Sequence, residues 1–462
     1  MESKLHTREY PAASKTVPRL RAATFPRLVR PHAGQLSFIV QQPAARRQVE
    51  VTRSGTFADN MTLPVHRWFR YSAGFSAEWV AEVLSQWGMS ESSVVLDPFA
   101  GSGTVALVGD SLGLRSIGVE AHYFVARICR AKLLWWTSVG AFRRLAEAVL
   151  EHQFARDESA SSVPSLMRRS FDEEALHVLR TLKAAWRQHD DGSPESELVW
   201  LAITAILRPS SCAGTAQWQY IQPVKRKKHV VPPALALRRQ VELMASDMLH
   251  VQRNAPRTRA EMVLGDARDL ARLVHAGVDA VITSPPYANN FDYGDALRFE
   301  MTFWDEVDGW GGIHDKVRRD LIVSSSQHAS REKLKLEALL KDDAVTPIRR
   351  ELAEKTTALA EERLHHGGKK HYHTMVAAYC KDIATVLQQL RIVCKAGSRM
   401  CWVIGDSAPY GVHCPIERWI GELALAAGFR AWRFEKLRDR NVKWKNRKHR
   451  VPLTEGFLWI DG

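Results

Sequence analysis

The sequence predicts an α/β fold in which a parallel sheet is interrupted by two largely helical insertions. The segment SSVVLDPFAGSGT begins with a short apolar run and ends in a glycine-rich turn, and the helix-like VALVGDSLG and the strand-like RSIGVE follow it. Stretches with helical spacing occupy 140–260 and 307–370, and strand-like segments return after each. Because alternating strands and helices are typical of a parallel sheet, both stretches are expected to be insertions into one sheet.

These patterns divide the chain into six parts. They are a basic, flexible N-terminal arm (1–60), a first part of the sheet domain with the glycine turn (61–139), a helical insertion (140–260), a second part of the sheet domain (261–306), a second helical insertion (307–370) and the remainder of the sheet domain (371–462). The arm is rich in arginine, proline, alanine and serine and lacks hydrophobic periodicity, which indicates a flexible segment.

The last part alternates helices and strands. Apolar residues at three- and four-residue spacing predict a helix from Met375 to Leu390, with Gly397 as its terminator. RMCWVIGD is the next predicted strand, and Pro415 opens a helix that ends before Gly428. RAWRFEKL and GFLWI then predict two strands joined by a basic loop.

Composition narrows the partners of the protein. The 462 residues include 65 lysines and arginines against 51 acids, a formal charge of +14. This balance favours a polyanionic partner, with nucleic acid first, although membrane-binding and ordinary basic proteins share it. Six cysteines without a C-x-x-C pair indicate neither a zinc site nor a disulfide framework, and no apolar run approaches the length of a membrane span. We therefore expect a cytoplasmic protein without a bound metal.

The glycine turn LDPFAGSGT predicts a ligand site. Asp97 ends the first strand, and Gly101 and Gly103 let the backbone approach a ligand where a Cβ would collide. No lysine follows the turn, so it is not a Walker A loop, and Ala106 stands where the dinucleotide fingerprint has its last glycine. A dehydrogenase would accept that alanine, and a purely structural turn is a further alternative.

Two acids downstream favour a nucleoside ligand. Glu120 closes the second strand, where a carboxylate can accept both hydroxyls of a ribose, and Asp266 follows a third strand, where it could bind an adenine amino group. Either acid alone is more often structural. Three acids in order at the ends of consecutive strands, counting Asp97, outline an adenosine-shaped site.

The segment TSPPY ends a later strand and predicts a site for an amine. Prolines fix φ and lack N–H groups, so Ser284, Pro285 and Pro286 can form a rigid ledge of hydrogen-bond acceptors. Tyr287 would hold a planar ring by stacking. This arrangement needs no metal and no covalent nucleophile.

Together, DPFAGSGT and TSPPY resemble the S-adenosylmethionine-dependent amino-methyltransferases of nucleic acid, the cytosine-N4 and adenine-N6 family. The resemblance spans most of residues 61–462 and implies a Rossmann-like seven-stranded methyltransferase sheet. It implies that cofactor binding involves Phe75, Ser76, Asp97, Pro98, Phe99, Gly101, Gly103, Thr104, Glu120 and Asp266, and that the target base is held by Ser284, Pro285, Pro286 and Tyr287. The contribution of Phe75 and Ser76 has an ordinary helix entry as its alternative.

The residue before Pro-Pro-Tyr bears on the target base. Family members with serine there tend to act on cytosine N4, whereas aspartate or asparagine is more usual for adenine N6. Both targets are exocyclic amines, so the same ledge can serve either. Asn289, Asn290, Asp292 and Tyr293 could line the neighbouring pocket, or form a hydrogen-bonded loop without substrate contact.

A basic loop near the C-terminus predicts contacts with nucleic acid. Its candidate residues are Lys436, Arg438, Arg440, Lys443, Trp444, Lys445, Arg447 and Lys448. Cations would hold phosphates while the tryptophan stacks or wedges, as needed to flip a base from a duplex. A solvated charged hairpin is the alternative, and KRKK at 225–228 is a second candidate contact.

The sequence thus predicts a DNA methyltransferase of the kind found in restriction-modification, associated with the nucleoid. It would move a methyl group from S-adenosylmethionine to the exocyclic amine of a flipped base, with cytosine N4 first, adenine N6 second and an RNA amine third. The first insertion is a candidate target-recognition region. A binding protein with a decayed site is disfavoured because the glycines and the ledge are intact, and a dehydrogenase would leave the ledge unexplained.

Overall fold

The computed structural model describes residues 57–71, 74–151, 163–215, 221–254, 258–275, 277–308, 310–440 and 451–462. Its strands are β1 (Val94–Asp97), β2 (Arg115–Glu120), β3 (Ala213–Thr215), β4 (Ile221–Arg226), β5 (Ala260–Leu264), β6 (Val278–Thr283), β7 (Cys394–Gly405), β8 (Ala431–Arg440) and β9 (Leu453–Asp461).

The α-helices are α1 (Ala77–Gln86), α2 (Thr104–Ser111), α3 (Tyr123–Lys132), α4 (Val139–Glu151), α5 (Ser165–Ser170), α6 (Glu173–His189), α7 (Pro194–Ser210), α8 (Pro233–Gln252), α9 (Leu270–Leu273), α10 (Arg298–Phe303), α11 (Trp310–Lys316), α12 (Ser326–Arg331), α13 (Leu336–Lys341), α14 (Arg349–His365), α15 (Tyr372–Val393) and α16 (Ile416–Ala426). Short 3₁₀ segments include Phe57–Thr62 and Pro409–Gly411.

Seven strands form one mixed sheet in the order β5-β2-β1-β6-β7-β9-β8. The first five are parallel, and β9 runs antiparallel between β7 and β8. The chain builds outward from β1 to β5 on one side and then from β6 to β7 on the other. Such a reversal opens a crevice beyond the carboxyl ends of the two central strands, β1 and β6, where α/β proteins bind ligands. The predicted seven-stranded α/β fold is confirmed.

The sheet core follows from apolar residues on both faces of the central strands. Val95 faces a layer that includes α1 and α2, whereas Val94 and Leu96 face a layer that includes α15 and α16. All four residues of β1 are buried, as expected for a parallel strand covered on both sides. The central strands are therefore held rigidly, and their carboxyl ends are well fixed in space.

Helical segments lie between β2 and β5 and between β6 and β7. The first includes α4 to α8 and a small β3-β4 hairpin that the sequence pattern did not reveal. It packs on the sheet domain through pairs such as Arg208 with the fully buried Glu300, at 2.5 Å. The second insertion contains α11 to α14 between β6 and α15.

Three local predictions differ from the structure. The helix α15 extends beyond both predicted ends and passes directly into β7, so Gly397, with φ of 78°, lies inside the strand and does not terminate the helix. Residues 57–60 of the predicted arm are structured, since Asn60 is buried and bonds to Phe75 O and Ala77 N. The rest of the arm, 1–56, lies outside the described residues.

Within the described residues, no helix has the length and apolarity that a bilayer crossing requires. The same part of the chain contains no group of three or more histidine, cysteine and acidic side chains arranged to hold a metal ion.

Candidate active site

A cleft opens beyond the carboxyl ends of the parallel strands. Its walls come from the segment before α1, the glycine turn, the end of β2, the loops after β5 and β6, and the second insertion. The lining residues are Tyr71, Gly74, Phe75, Pro98, Phe99, Ala100, Gly101, Ser102, Thr104, Glu120, Ala121, His122, Asp266, Ala267, Ser284, Pro286, Tyr293, Asp320, Leu321 and Ile322. The glycine turn and the Ser-Pro-Pro-Tyr ledge therefore face one space, as an active site joining cofactor and target would require.

The glycine turn needs glycine for two different reasons. Gly101 and Gly103 have φ of 52° and 88°, in the left-handed region that disfavours other residues. A Cβ on Gly101 would lie 3.2 Å from the Tyr71 ring, and one on Gly103 would collide with the Cys129 sulfur. The turn is thus shaped by close packing beneath it, and Gly103 caps α2 without lining the cleft.

Glu120 ties the glycine turn to the end of β2. One carboxylate oxygen accepts from Gly101 N at 2.9 Å, and the other accepts from His122 N at 2.8 Å. Burial raises the pKa of Glu120 to about 7, although these backbone donors oppose the rise. Each oxygen keeps acceptor capacity toward the cleft, so Glu120 can take the hydroxyls of a sugar.

Asp97 is fully buried behind the glycine turn and does not line the cleft. Its Oδ1 accepts from Thr283 Oγ1 at 2.5 Å and from Phe99 N at 3.1 Å. Its Oδ2 has no hydrogen-bond partner among the described residues. Burial raises the pKa of Asp97 to about 7. Asp97 thus joins β1, β6 and the turn, a structural role that the sequence reading did not assign.

Asp266 lines the cleft, but much of its carboxylate is already engaged. It accepts from Arg268 N at 2.8 Å and from the Arg268 guanidinium at 2.6 Å, and Arg268 also pairs with Asp382 at 3.0 Å. A carboxylate has about four acceptor positions. The capacity left for an adenine amino group is therefore small.

The Ser-Pro-Pro-Tyr ledge is fixed from below and from the side. Ser284 Oγ donates to Val403 O at 3.1 Å, which leaves its lone pairs to accept from a ligand. Tyr287 N donates to Tyr293 Oη at 3.2 Å, and burial raises the pKa of the Tyr287 hydroxyl. Ser284 and Pro286 line the cleft, whereas Pro285 and Tyr287 are outside its lining.

Three of the residues predicted to contact nucleic acid lie in β8 and have partners within the protein. The Arg440 guanidinium lies 5.2 Å from the Tyr287 ring centroid and donates to Asp406 O at 2.9 Å. Arg438 pairs with Glu455 at 2.8 Å, and Lys436 pairs with Asp439 at 2.7 Å. Arg440 thus packs beside the base ledge rather than projecting as a phosphate clamp. The other predicted loop residues, Lys443, Trp444, Lys445, Arg447 and Lys448, lie outside the described residues.

The segment before α1 supplies one predicted wall residue. Phe75 is buried and lines the cleft, with its ring edge against Trp79 at 5.8 Å. Ser76 is not a lining residue, because its hydroxyl caps α1 by accepting from Trp79 N.

Sequence reasoning missed several wall residues. Tyr71 underlies Gly101, and Asp320, Leu321 and Ile322 reach the cleft from the second insertion. His122 is buried, both of its ring nitrogens lack partners among the described residues, and burial lowers its pKa to about 4. Of these residues, only His122 could have been predicted from the local sequence, because it lies two residues after Glu120.

The charge of the cleft distinguishes between ligands. Glu120, Asp266 and Asp320 are its lining carboxylates, of which Asp266 is paired with Arg268. No lysine or arginine is among the lining residues in the described part of the chain. An anionic dinucleotide or nucleoside triphosphate would meet acids there. A cationic nucleoside is the better electrostatic match.

The described residues form an α/β protein with a seven-stranded mixed sheet and a ligand-sized cleft beyond the carboxyl ends of its parallel strands. The family described as DNA methylase matches residues 48–130. The Type II methyltransferase M.BsoBI of Geobacillus stearothermophilus is 22% identical over 427 residues, covering 83% of this chain and 82% of that protein. The Type II methyltransferase M.AvaI of Nostoc sp. is 20% identical, covering 81% of each. The rRNA methyltransferase aviRa from Streptomyces viridochromogenes aligns with 94% of this chain and 93% of its own, at 11% identity and a TM-score of 0.26.

The family match and the Type II relatives confirm the resemblance drawn from the motifs. The chain is similar to Type II DNA methyltransferases along most of its length and to the DNA methylase family over residues 48–130.

Proposed function

We propose that this protein transfers a methyl group from S-adenosylmethionine to the exocyclic amine of a flipped DNA base, with cytosine N4 as the target. The observation that carries the proposal is the shared cleft, in which Ser284 and Pro286 of the ledge face the same space as Gly101 and Glu120. The serine at the start of the ledge supports cytosine N4 over adenine N6, and the family description supports DNA.

The lining residues fit S-adenosylmethionine. Glu120 would accept the ribose hydroxyls, Phe75 and Phe99 would pack on the apolar parts, and the acidic lining suits a cationic ligand. The bound cofactor supplies an activated methyl group on a sulfonium. The backbone turn around Gly101 would let that end of the ligand approach the sheet closely.

The ledge would orient the amine. Ser284 Oγ, held by its bond to Val403 O, would accept an N–H of the amine and turn the nitrogen toward the cofactor side of the cleft. Tyr287, steadied by Tyr293 and Arg440, would support the target ring. The amine releases one proton after transfer. Ser284 is a poor acceptor for it, so water takes this proton.

Two further parts of the chain are proposed to contact DNA away from the target base. The loop that joins β8 to β9 carries the basic residues, and the insertion at 140–260 is assigned to target recognition. The named Type II relatives support a role in restriction-modification.

The test is mass spectrometry of nucleosides from DNA and RNA incubated with the protein and methyl-deuterated S-adenosylmethionine. We expect labelled N4-methyldeoxycytidine, its loss in Ser284→Ala, and no change in Ser85→Ala, which alters an exposed serine of α1. Labelled N6-methyldeoxyadenosine would show that the target base is adenine and not cytosine. Label confined to RNA would overturn DNA as the substrate, and absence of any label would overturn the proposed methyl transfer.

A further inference from the structure

The chain from the last turn of α14 to the start of α15 is strongly basic. Residues 363–373, RLHHGGKKHYH, contain one arginine, two lysines and four histidines and no acid. Gly367 and Gly368, with φ of 75° and 70°, turn the chain, and Lys369 and Lys370 are exposed. We call residues 363–371 the basic turn.

Aromatic rings lie next to this turn. The His366 ring stacks on the Tyr410 ring, with centroids 4.3 Å apart and planes 3° from parallel. Tyr372 meets Tyr410 edge to face at 4.7 Å, and Lys370 Nζ lies 5.7 Å from the Tyr372 ring centroid. Tyr410 is held at φ of 51°, which is uncommon for a residue other than glycine. The protein thus presents a partly exposed pair of stacked rings, although the positive φ of Tyr410 is more usual for a small residue.

The topology puts this surface on the active-site edge of the sheet. Tyr410 belongs to the loop after the carboxyl end of β7, which pairs in parallel with β6, the strand that leads into the ledge. The Ser407 hydroxyl donates to Ala288 O, next to Tyr287, and Ser407 and Cys414 pair through their backbones. The ring pair is therefore anchored to the chain that follows the ledge.

We propose that the basic turn and the His366–Tyr410 ring pair form a DNA-contacting surface beside the target-base pocket. The lysines would neutralise phosphates next to the flipped nucleotide, and the ring pair would stack on a neighbouring base that flipping leaves unstacked on one side. Nucleic acid fits better than an acidic protein, because exposed lysines beside stacked rings match phosphates and bases together. The nearest acid in the chain, Glu362, precedes the turn and lies 3.7 Å from His366 Nε2. This inference rests on the proposed function and adds a specific surface to it.

The test measures DNA binding by fluorescence anisotropy across salt concentrations, using a labelled duplex with one mismatched C. For Lys369→Ala/Lys370→Ala, the slope of log K against log salt should fall by about 1.8, since each phosphate contact contributes about 0.9. Tyr410→Ala should weaken binding by roughly tenfold or more, as loss of one stacked base would, while Tyr410→Phe should bind as the wild type does. The matched control is Arg115→Ala/Arg430→Ala, which removes two exposed cations at the amino edge of the sheet.

Cofactor titration and thermal melting of each variant separate a lost contact from a lost fold. An unchanged salt slope and unchanged affinity in folded variants would overturn the surface even if the wild type methylates DNA. If the wild type methylates no base but the variants still bind DNA more weakly than it does, the proposed surface is supported and the proposed function is refuted. The same losses on an RNA hairpin but not on the duplex would overturn DNA as the partner.

Discussion

The buried acid at the end of β1 offers a sharp test of the site's electrostatics. Replacing Asp97 by asparagine removes a charge and retains Oδ1 as acceptor for Thr283 and Phe99. Burial raises the pKa of Asp97 from its ordinary 3.8 to about 7. Between those values the folded state binds more protons than the unfolded state, so this group lowers stability as pH rises through that window.

The expected size follows from this shift. A pKa difference of about 3 units corresponds to about 4 kcal/mol of destabilisation at pH 8, of which about 1.6 kcal/mol has developed by pH 5. The asparagine Nδ2 would take the place of the unpartnered Oδ2. Burying this N–H donor without a hydrogen-bond acceptor lowers stability by about 1–3 kcal/mol. Asp97→Asn should therefore stabilise the cofactor-free protein by about 1–3 kcal/mol at pH 8 and have little or an opposite effect at pH 5.

Urea unfolding at the two pH values, followed by circular dichroism, measures this difference. Asp191→Asn is the matched control, because Asp191 is exposed and hydrogen-bonding to Ser193 lowers its pKa, so no gain at pH 8 is expected. A free-energy change for Asp97→Asn that is equal at pH 5 and pH 8 would refute the assignment of a buried, destabilising charge.

The remaining predictions concern packing and the ledge. Gly103→Ala should lower the stability of the folded protein by about 1–3 kcal/mol through backbone strain, and further through the clash with the Cys129 sulfur. In melting experiments, Gly103→Ala/Cys129→Ala should regain only the stability lost to the clash. Full recovery of stability would contradict the backbone strain. Arg318→Met should destabilise the protein by about 3–5 kcal/mol, because it leaves the Asp292 carboxylate buried and unneutralised; both side chains are under a tenth exposed. Urea unfolding should show that Arg318→Met/Asp292→Leu regains most of the lost stability. Equal stability of the single and double variants would argue against a charge effect. Tyr287→Ala should abolish methyl transfer in a tritium assay yet keep cofactor affinity by calorimetry, and near-normal transfer would remove Tyr287 from the base pocket.

The site shows how far sequence reasoning reaches. The glycine turn and the ledge could be located from sequence because their conformations depend on residues next to one another, glycines at positive φ and prolines with fixed φ. Ser76 and Asp97 were assigned to the cofactor from the same segments, yet one caps a helix and the other bonds inward. The direction of a side chain at a strand end depends on what packs behind it, and that is not local information.

The sequence by itself determined the order of strands and helices, the two helical insertions, and the positions of the two motifs, because periodicity and turn chemistry are properties of neighbouring residues. Only the tertiary structure decided that Tyr71 and Ile322 line the same cleft as Glu120 and that Arg440 lies beside Tyr287. It also decided that the loop carrying Tyr410 is bonded to the chain after the ledge, through Ser407 and Ala288. Those contacts join residues far apart in the chain. They arise when parallel strands bring their carboxyl ends to one edge of the sheet, which no short stretch of sequence records.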